Sequence, residues 1–299
     1  MIEKEIRRLV KRESAILLAH NYQPPEIQDI ADLTGDSLEL SIKASETDAR
    51  IIIFCGVHFM AETASIVSPE KTVLLPRLDV GCPMADMITP EDLEARRLKF
   101  PGVPVVTYVN SSAAVKALST ICCTSANVLS VVNSIPSNRI FMTPDRNLAL
   151  YAASKSEKQI EFWNGFCPIH DNLTREEVLK AKESHPDALF MAHPECRPEV
   201  LALADAVLST SGMLKFARES DNDAFIVGTE VGLLHPLRKE NPGKDFYPAS
   251  KKMVCPDMKR IKLIDILRAL ERKEHQVRVP ESIRTKAISA VEQMMAIQG

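Results

Sequence analysis

The sequence predicts an α/β fold of three three-layer α/β/α units, related by a pseudo-threefold axis, with mainly parallel sheets and a shared site at the central axis. Three observations predict it. Three Cys-Pro pairs, Cys82-Pro83, Cys167-Pro168 and Cys255-Pro256, recur at intervals of 85 and 88 residues. His20, Tyr108 and His193 keep nearly the same step, 88 then 85, and each closes an apolar run (residues 15–19, 105–107 and 189–192). Ser37, Ser125 and Thr210 keep it again. Within each copy, short runs rich in Val and Ile alternate with helical patterns, which is the signature of strands joined by crossover helices.

The elements follow in order. Residues 1–10 form a charged amphipathic helix; they lack the continuous apolar stretch and small-residue cleavage site of a signal peptide. In the first copy, 16–19, 51–54 and 73–75 read as strands, and 27–33 and 38–44 as helical. The second copy has strands at 103–109, 140–142 and 161–163, with a turn at Thr124-Ser125-Ala126-Asn127 opening a helix. The third has strands at 188–192, 206–208, 225–227 and 245–247. The predicted division is 1–84, 85–171 and 172–261 for the three repeats and 262–299 for C-terminal bracing helices, where 282–298 carries apolar residues at helical spacing. Ten glycines and no Gly/Ser-rich linker predict tight packing.

At 299 residues the chain is long for a single core. A net charge of −3 and a pI near 6.2 leave no electrostatic footprint for nucleic acid or an anionic membrane. The apolar stretch 51–61 is interrupted by His58 and falls far short of the ~20 residues a membrane span needs. The expected partners are small molecules, with no nucleic acid and no membrane, in a soluble cytoplasmic protein. Seven cysteines, an odd number without an export signal, argue against a disulfide framework and for reduced thiols or a metal site.

A single buried cysteine is ordinarily an inert small hydrophobe. Three at equivalent positions are not. No C-x-x-C occurs, so convergence of Cys82, Cys167 and Cys255 has to come from tertiary symmetry. Three thiolates on a four-iron cluster would leave one iron open as a Lewis acid, while a three-Cys zinc with an open position is the competing reading. Cys55, Cys122, Cys123 and Cys196 do not recur in phase and read as packing residues.

The residues after the first strands, His20-Asn21-Tyr22, Tyr108-Val109-Asn110 and His193-Pro194-Glu195, stand at the carboxyl ends where open parallel sheets bind ligands. Tyr22, Asn110 and Glu195 share one repeat position and supply a phenol, an amide and a carboxylate suited to proton transfer. Ser37, Ser125 and Thr210 fit N-cap positions of helices whose convergence would hold an acidic substrate. Gly228-Thr229-Glu230-Val231-Gly232 lacks dinucleotide spacing and no Walker sequence occurs, so no nucleotide cofactor is expected. Pro144-Asp145-Arg146-Asn147 reads as a structural turn with an ion pair. His170, three residues after Cys167, fits either a substrate or second-layer role or an ordinary loop histidine.

The chain resembles the quinolinate synthase family. The likeness is carried by Ala19-His20-Asn21-Tyr22-Gln23, Gln28-Asp29-Ile30-Ala31-Asp32, Gly35-Asp36-Ser37-Leu38, Phe59-Met60-Ala61-Glu62, Tyr108-Val109-Asn110-Ser111, Thr124-Ser125-Ala126-Asn127, Pro144-Asp145-Arg146-Asn147-Leu148, His193-Pro194-Glu195-Cys196, and Cys255 with Met258-Lys259. The resemblance implies condensation of iminoaspartate with dihydroxyacetone phosphate to quinolinate, with loss of phosphate and two waters. It also implies one oxygen-sensitive 4Fe-4S cluster per chain, on Cys82, Cys167 and Cys255, with one iron open. Substrate contacts carried over are His20, Ser37, Tyr108, Asn110, Ser125, His193, Glu195 and Thr210. Tyr22 and Glu195 are expected to move protons, with His20, His193 and Tyr108 beside them. Iminoaspartate is unstable, so functional coupling to an L-aspartate oxidase or dehydrogenase is expected.

Two departures from the family pattern stand out: Ser211-Gly212 where a glycine should follow Thr210 directly, implying a different turn, and no extra cysteines around Cys255. The remaining alternatives are a zinc- or iron-sulfur-dependent hydro-lyase or aldolase on another small acid, an iron-sulfur sensor or electron carrier, and a purely structural scaffold.

Overall fold

The computed structural model describes residues 2–297, so Met1, Gln298 and Gly299, which fall in the predicted terminal segments, lie outside the described residues. Among the described residues twelve strands form three four-stranded sheets. The first holds β1 (Ala15–His20), β2 (Leu33–Gly35), β3 (Ile51–Cys55) and β4 (Thr72–Leu74) in the order β2-β1-β3-β4. The second holds β5 (Val105–Tyr108), β6 (Ile121–Cys123), β7 (Arg139–Thr143) and β8 (Gln159–Phe162), ordered β6-β5-β7-β8. The third holds β9 (Leu189–Ala192), β10 (Ala206–Val207), β11 (Ala224–Gly228) and β12 (Asp245–Pro248), ordered β10-β9-β11-β12. Every pairing within these sheets is parallel. The expected fold class is therefore the observed one: three repeated α/β/α units.

Burial on both faces explains the continuous apolar strands. Every residue of Ile51-Ile52-Ile53-Phe54-Cys55 is buried, in register with Ala15–Ala19. In each sheet the chain leaves the first strand for an edge on one side and then returns to the other side. This places a topological switch point between β1 and β3, β5 and β7, and β9 and β11. Ligand crevices form outside the carboxyl ends of strands at such points.

Two sequence expectations need correction. Residues 27–33 are not one helix: a single helical turn, Pro25–Gln28, is followed by β2. Gln28 Nε2 donates to the carbonyls of Asn21, Gln23 and Gly232, and Asp32 accepts from Leu17 N–H at 2.8 Å, which draws the chain into pairing with β1. Nor do Ser37, Ser125 and Thr210 cap helices. The N-caps are Asp36 for the helix Ser37–Glu46, Asn127 for Val128–Ser134 and Ser209 for Thr210–Glu219. Asp36 accepts from both Leu38 and Glu39 N–H, and Ser209 Oγ from Gly212 N–H. The predicted capping hydroxyls are thereby released for other partners.

The termini brace the first two units. The helix Ile2–Arg12 buries Ile6, Leu9 and Val10 and packs on Leu263–Arg272. Glu281–Ala296 lies against β6, and Asn127 Nδ2 ties its end by donating to Met294 O (2.9 Å) and Ile297 O (2.8 Å).

Candidate active site

The carboxyl ends of the three sheets meet around one cavity of about 180 Å³. His20, Tyr22, Ser37, Tyr108, Asn110, Ser125, His193, Glu195 and Thr210 all line it, and so do Cys82, Cys167 and Cys255. Cys55, Cys122, Cys123 and Cys196 are fully buried elsewhere, and all seven cysteines are free thiols.

The first and third repeats use the same local turn. Tyr22 N–H donates to His20 Nδ1 (3.1 Å) and Glu195 N–H to His193 Nδ1 (3.4 Å). A nitrogen that accepts carries no proton, so both imidazoles bear theirs on Nε2 in this arrangement. Burial keeps both rings neutral, pushing each down to about 3 against the opposing pull of Glu195. His193 Nε2 lies 3.2 Å from Ser125 Oγ, which it can serve as donor.

Glu195 is the hub. Its Oε1 accepts from the Tyr108 hydroxyl at 2.7 Å, and its Oε2 lies 2.6 Å from His170 Nδ1 and 3.5 Å from His193 Nδ1. Burial opposes its ionisation, but the bonds from His170 and the Tyr108 hydroxyl outweigh that and hold the carboxyl below its usual range. Burial, with Glu195 adding to it, drives the Tyr108 and Tyr22 phenols well above theirs. A buried carboxylate bonded to a protonated phenol can accept a proton and return it.

Sequence reasoning missed part of this network. Thr229 Oγ1 sits 2.5 Å from Tyr22 Oη and 2.8 Å from His170 Nε2, linking the first repeat to the third. His170 is almost fully buried, its Nδ1 also 3.2 Å from Cys167 Sγ. Asn147 Nδ2 holds the Glu195 carbonyl at 3.0 Å. The signal lies in the topology: Thr229 and Asn147 follow the ends of β11 and β7, the second strand of each switch point. The departure at Ser211 also has its explanation. Gly212 supplies the close approach one residue later, where a Cβ would lie 3.3 Å from Leu208 Cβ and Ser209 Oγ.

The donor set suits a soft metal centre. The three thiols come from one loop of each repeat into one pocket. Burial pushes all three up, Cys82 to about 12, so the thiolate form needs an adjacent positive charge such as bound metal supplies. Cys167, His170 and Glu195 also bring ligand atoms within 4.8 Å of one another, but there the imidazole and carboxylate already satisfy each other.

Fold and site together define a protein of three α/β/α units whose sheets open on one cavity lined by ionisable side chains and three repeat-equivalent thiols. The chain matches the family model described as quinolinate synthetase A protein over residues 4–296. It is 57% identical over 296 residues to a quinolinate synthase of Geobacter metallireducens, covering 99% of this chain and 97% of the relative. It is 54% identical over 295 residues to one of Thermodesulfovibrio yellowstonii (98% and 97% covered) and 51% identical over 298 to one of Methanosarcina barkeri (100% and 98%). The chain belongs to the quinolinate synthase family, enzymes of NAD biosynthesis that use an iron-sulfur cofactor. No helix among the described residues is long and apolar enough to cross a membrane.

Proposed function

We propose that this chain condenses iminoaspartate with dihydroxyacetone phosphate to give quinolinate, phosphate and two waters, with a 4Fe-4S cluster held by Cys82, Cys167 and Cys255. The observation that carries the reading is the convergence of three repeat-equivalent thiols on the cavity that also holds Glu195, Tyr108, His193 and Ser125. Three protein thiolates leave one iron of such a cluster open, and its chemistry there is that of a Lewis acid toward a departing oxygen. The proposed unit boundaries, 1–84, 85–171, 172–261 and the brace 262–299, keep one cysteine ligand in each repeat.

The chain's own residues supply the rest. Ser37 and Thr210 open ten-residue helices, so their hydroxyls and the positive helix ends suit the phosphate or carboxylates of the substrates. Neutral His20 and His193 present Nε2–H donors that orient oxygens without adding charge. Glu195, ionised, takes a proton from a substrate carbon or nitrogen, and Tyr108, bonded to it, returns a proton to a leaving hydroxyl. Tyr22, whose hydroxyl bonds to Thr229, is the second proton-transfer group. Asn110 offers an amide to a carboxylate. Iminoaspartate hydrolyses readily, which supports a source close by, an L-aspartate oxidase or dehydrogenase.

The test is iron and sulfide content and the visible spectrum of anaerobically purified protein. About four irons per chain are expected in wild type and in Cys122→Ala, and their loss in Cys82→Ala. Zinc in place of iron under strictly oxygen-free conditions would overturn the reading; a loaded cluster without quinolinate formation from the two substrates would remove the assigned reaction.

A further inference from the structure

We propose that Asp145 and Glu230 are positioning residues for the metal centre, each holding the backbone of one cysteine ligand, and that the first repeat lacks this anchor. The proposal rests on the three-cysteine reading above. The second strand of each switch point, β3, β7 and β11, runs out into Val57, Asp145 and Glu230, which keep the repeat's step of 88 and 85 residues. The main chain there is threefold. His58 N–H donates to Val80 O (3.0 Å), Arg146 N–H to Gly165 O (2.8 Å) and Val231 N–H to Met253 O (2.9 Å), and each acceptor lies two residues before its Cys-Pro. All three cysteine loops are thus pinned to the same strand end in the same way.

On that common frame only two repeats add a carboxylate. Asp145 Oδ2 accepts from Cys167 N–H at 3.2 Å, and Glu230 Oε1 from Cys255 N–H at 3.1 Å. Position 57 is a valine, which has no acceptor. The nearest counterpart for the first loop is a longer contact from the third repeat, Gly81 N–H to Asp257 Oδ1 at 3.4 Å, one residue before Cys82.

Helix capping does not account for these acids. Asp145 Oδ1 caps Arg146–Ser154 through Leu148 N–H (2.7 Å), a task a serine performs equally well. Its other oxygen is free of that role and is spent on Cys167. Both acids are buried, where a carboxylate is costly unless fully bonded. Glu230 is bonded: Oε2 accepts from Gly232 N–H (2.7 Å), and the Lys259 ammonium lies 2.9 Å from each oxygen. The local glycines keep the space. A Cβ at Gly232 would stand 2.8 Å from Glu230 Oε2, and one at Gly165 would stand 2.5 Å from Pro144 O. A bond to a cysteine's own N–H fixes the backbone from which its Cα–Sγ direction is set. Cys167 and Cys255 are therefore oriented in advance, and Cys82 is the loosest of the three. Partners of metal ligands at this remove are worth roughly 10- to 100-fold in metal affinity.

The experiment compares iron release to a chelator from anaerobically purified, iron-loaded wild type, Asp145→Ser, Glu230→Ala and Val57→Ala, alongside melting of each metal-free protein. Asp145→Ser keeps the helix cap and cannot reach Cys167 N–H. It is expected to melt like wild type yet release iron about 10- to 100-fold faster, as is Glu230→Ala, while Val57→Ala releases at the wild-type rate. Wild-type release from Asp145→Ser overturns the anchor and leaves the cluster reading intact. Wild type that carries no iron overturns the cluster reading itself. Should Glu230→Ala not fold, Asp145→Ser carries the test alone.

Discussion

The first and third repeats share strand order, backbone turn and a buried neutral histidine, yet two residues beyond that histidine one presents a phenol and the other a carboxylate. His20 and His193 share backbone turn and burial: each accepts a backbone N–H two residues ahead and each is held neutral by burial. Tyr22 and Glu195 differ. Among the described residues the Tyr22 hydroxyl bonds to Thr229 alone, whereas the Glu195 carboxylate gathers His170, Tyr108 and His193. Repetition supplies the geometry of the cavity, and departures from repetition supply its chemistry. The same contrast separates Val57 from Asp145 and Glu230.

The sharpest way to break this contrast is to make the third repeat resemble the second, which has Asn110 where the third has Glu195. Glu195→Gln presents an amide of nearly the same shape and removes the proton acceptor. Turnover is expected to fall by about 100-fold or more, the range of a general acid–base group, with iron content unchanged. Near-normal turnover would remove Glu195 from proton transfer and leave the difference between the repeats without chemical meaning.

A second contrast lies at the helix starts, where the first repeat is capped by a buried aspartate and the third by Ser209. Burial, and then the Glu39 carboxylate, push Asp36 up to about 6 from the ordinary 3.8. The folded protein then binds the Asp36 proton more tightly than the unfolded chain does. Its contribution is complete below about pH 4 and is lost as pH rises through about 6. Asp36→Ser makes the first repeat like the third. The metal-free variant is expected to lose this dependence and to exceed wild type in stability above pH 6, by roughly 1–3 kcal/mol. Chemical denaturation at pH 4, 5, 6 and 7 reads it, and parallel curves for the two proteins would refute it.

The fold was legible where burial leaves an uninterrupted signal and illegible where it does not. Ile51–Cys55 has no other reading than a strand covered on both faces. The edge strands Leu33–Gly35 and Ile121–Cys123 have three residues each, too few for any period to register. The spacing of Ile27, Ile30 and Ala31 imitates a helix because all three face inward from a turn that Gln28 and Asp32 bend by side-chain bonds to distant backbone. At the site, residues at first-strand ends were readable because His20, Tyr108 and His193 are chemically alike. The second-strand ends were hidden, since a valine, an aspartate and a glutamate do not look like copies of one another. His170 stands outside the repeat altogether, and only its burial between Cys167, Thr229 and Glu195 shows its place.

The smallest effect expected tests whether the helix starts are equal toward an anion. Thr210 Oγ1 accepts from Asn21 Nδ2 at 3.0 Å, so its hydroxyl proton is free to donate into the cavity and its position is fixed from the first repeat. Ser37 lines the same cavity, and its backbone carbonyl accepts from Ser41 Oγ at 2.6 Å. Thr210→Val should raise KM for the anionic substrate by about tenfold, the loss of one charge-assisted hydrogen bond, with kcat little changed. Ser37→Ala should raise KM by less, because an unfixed hydroxyl loses more entropy when it binds and contributes less net. Steady-state kinetics on both variants decides between unequal and equal helix starts. Equal increases in KM would mean that at these two positions the repeat is still symmetric in its chemistry as well as its backbone, and would confine the divergence of the units to their strand ends.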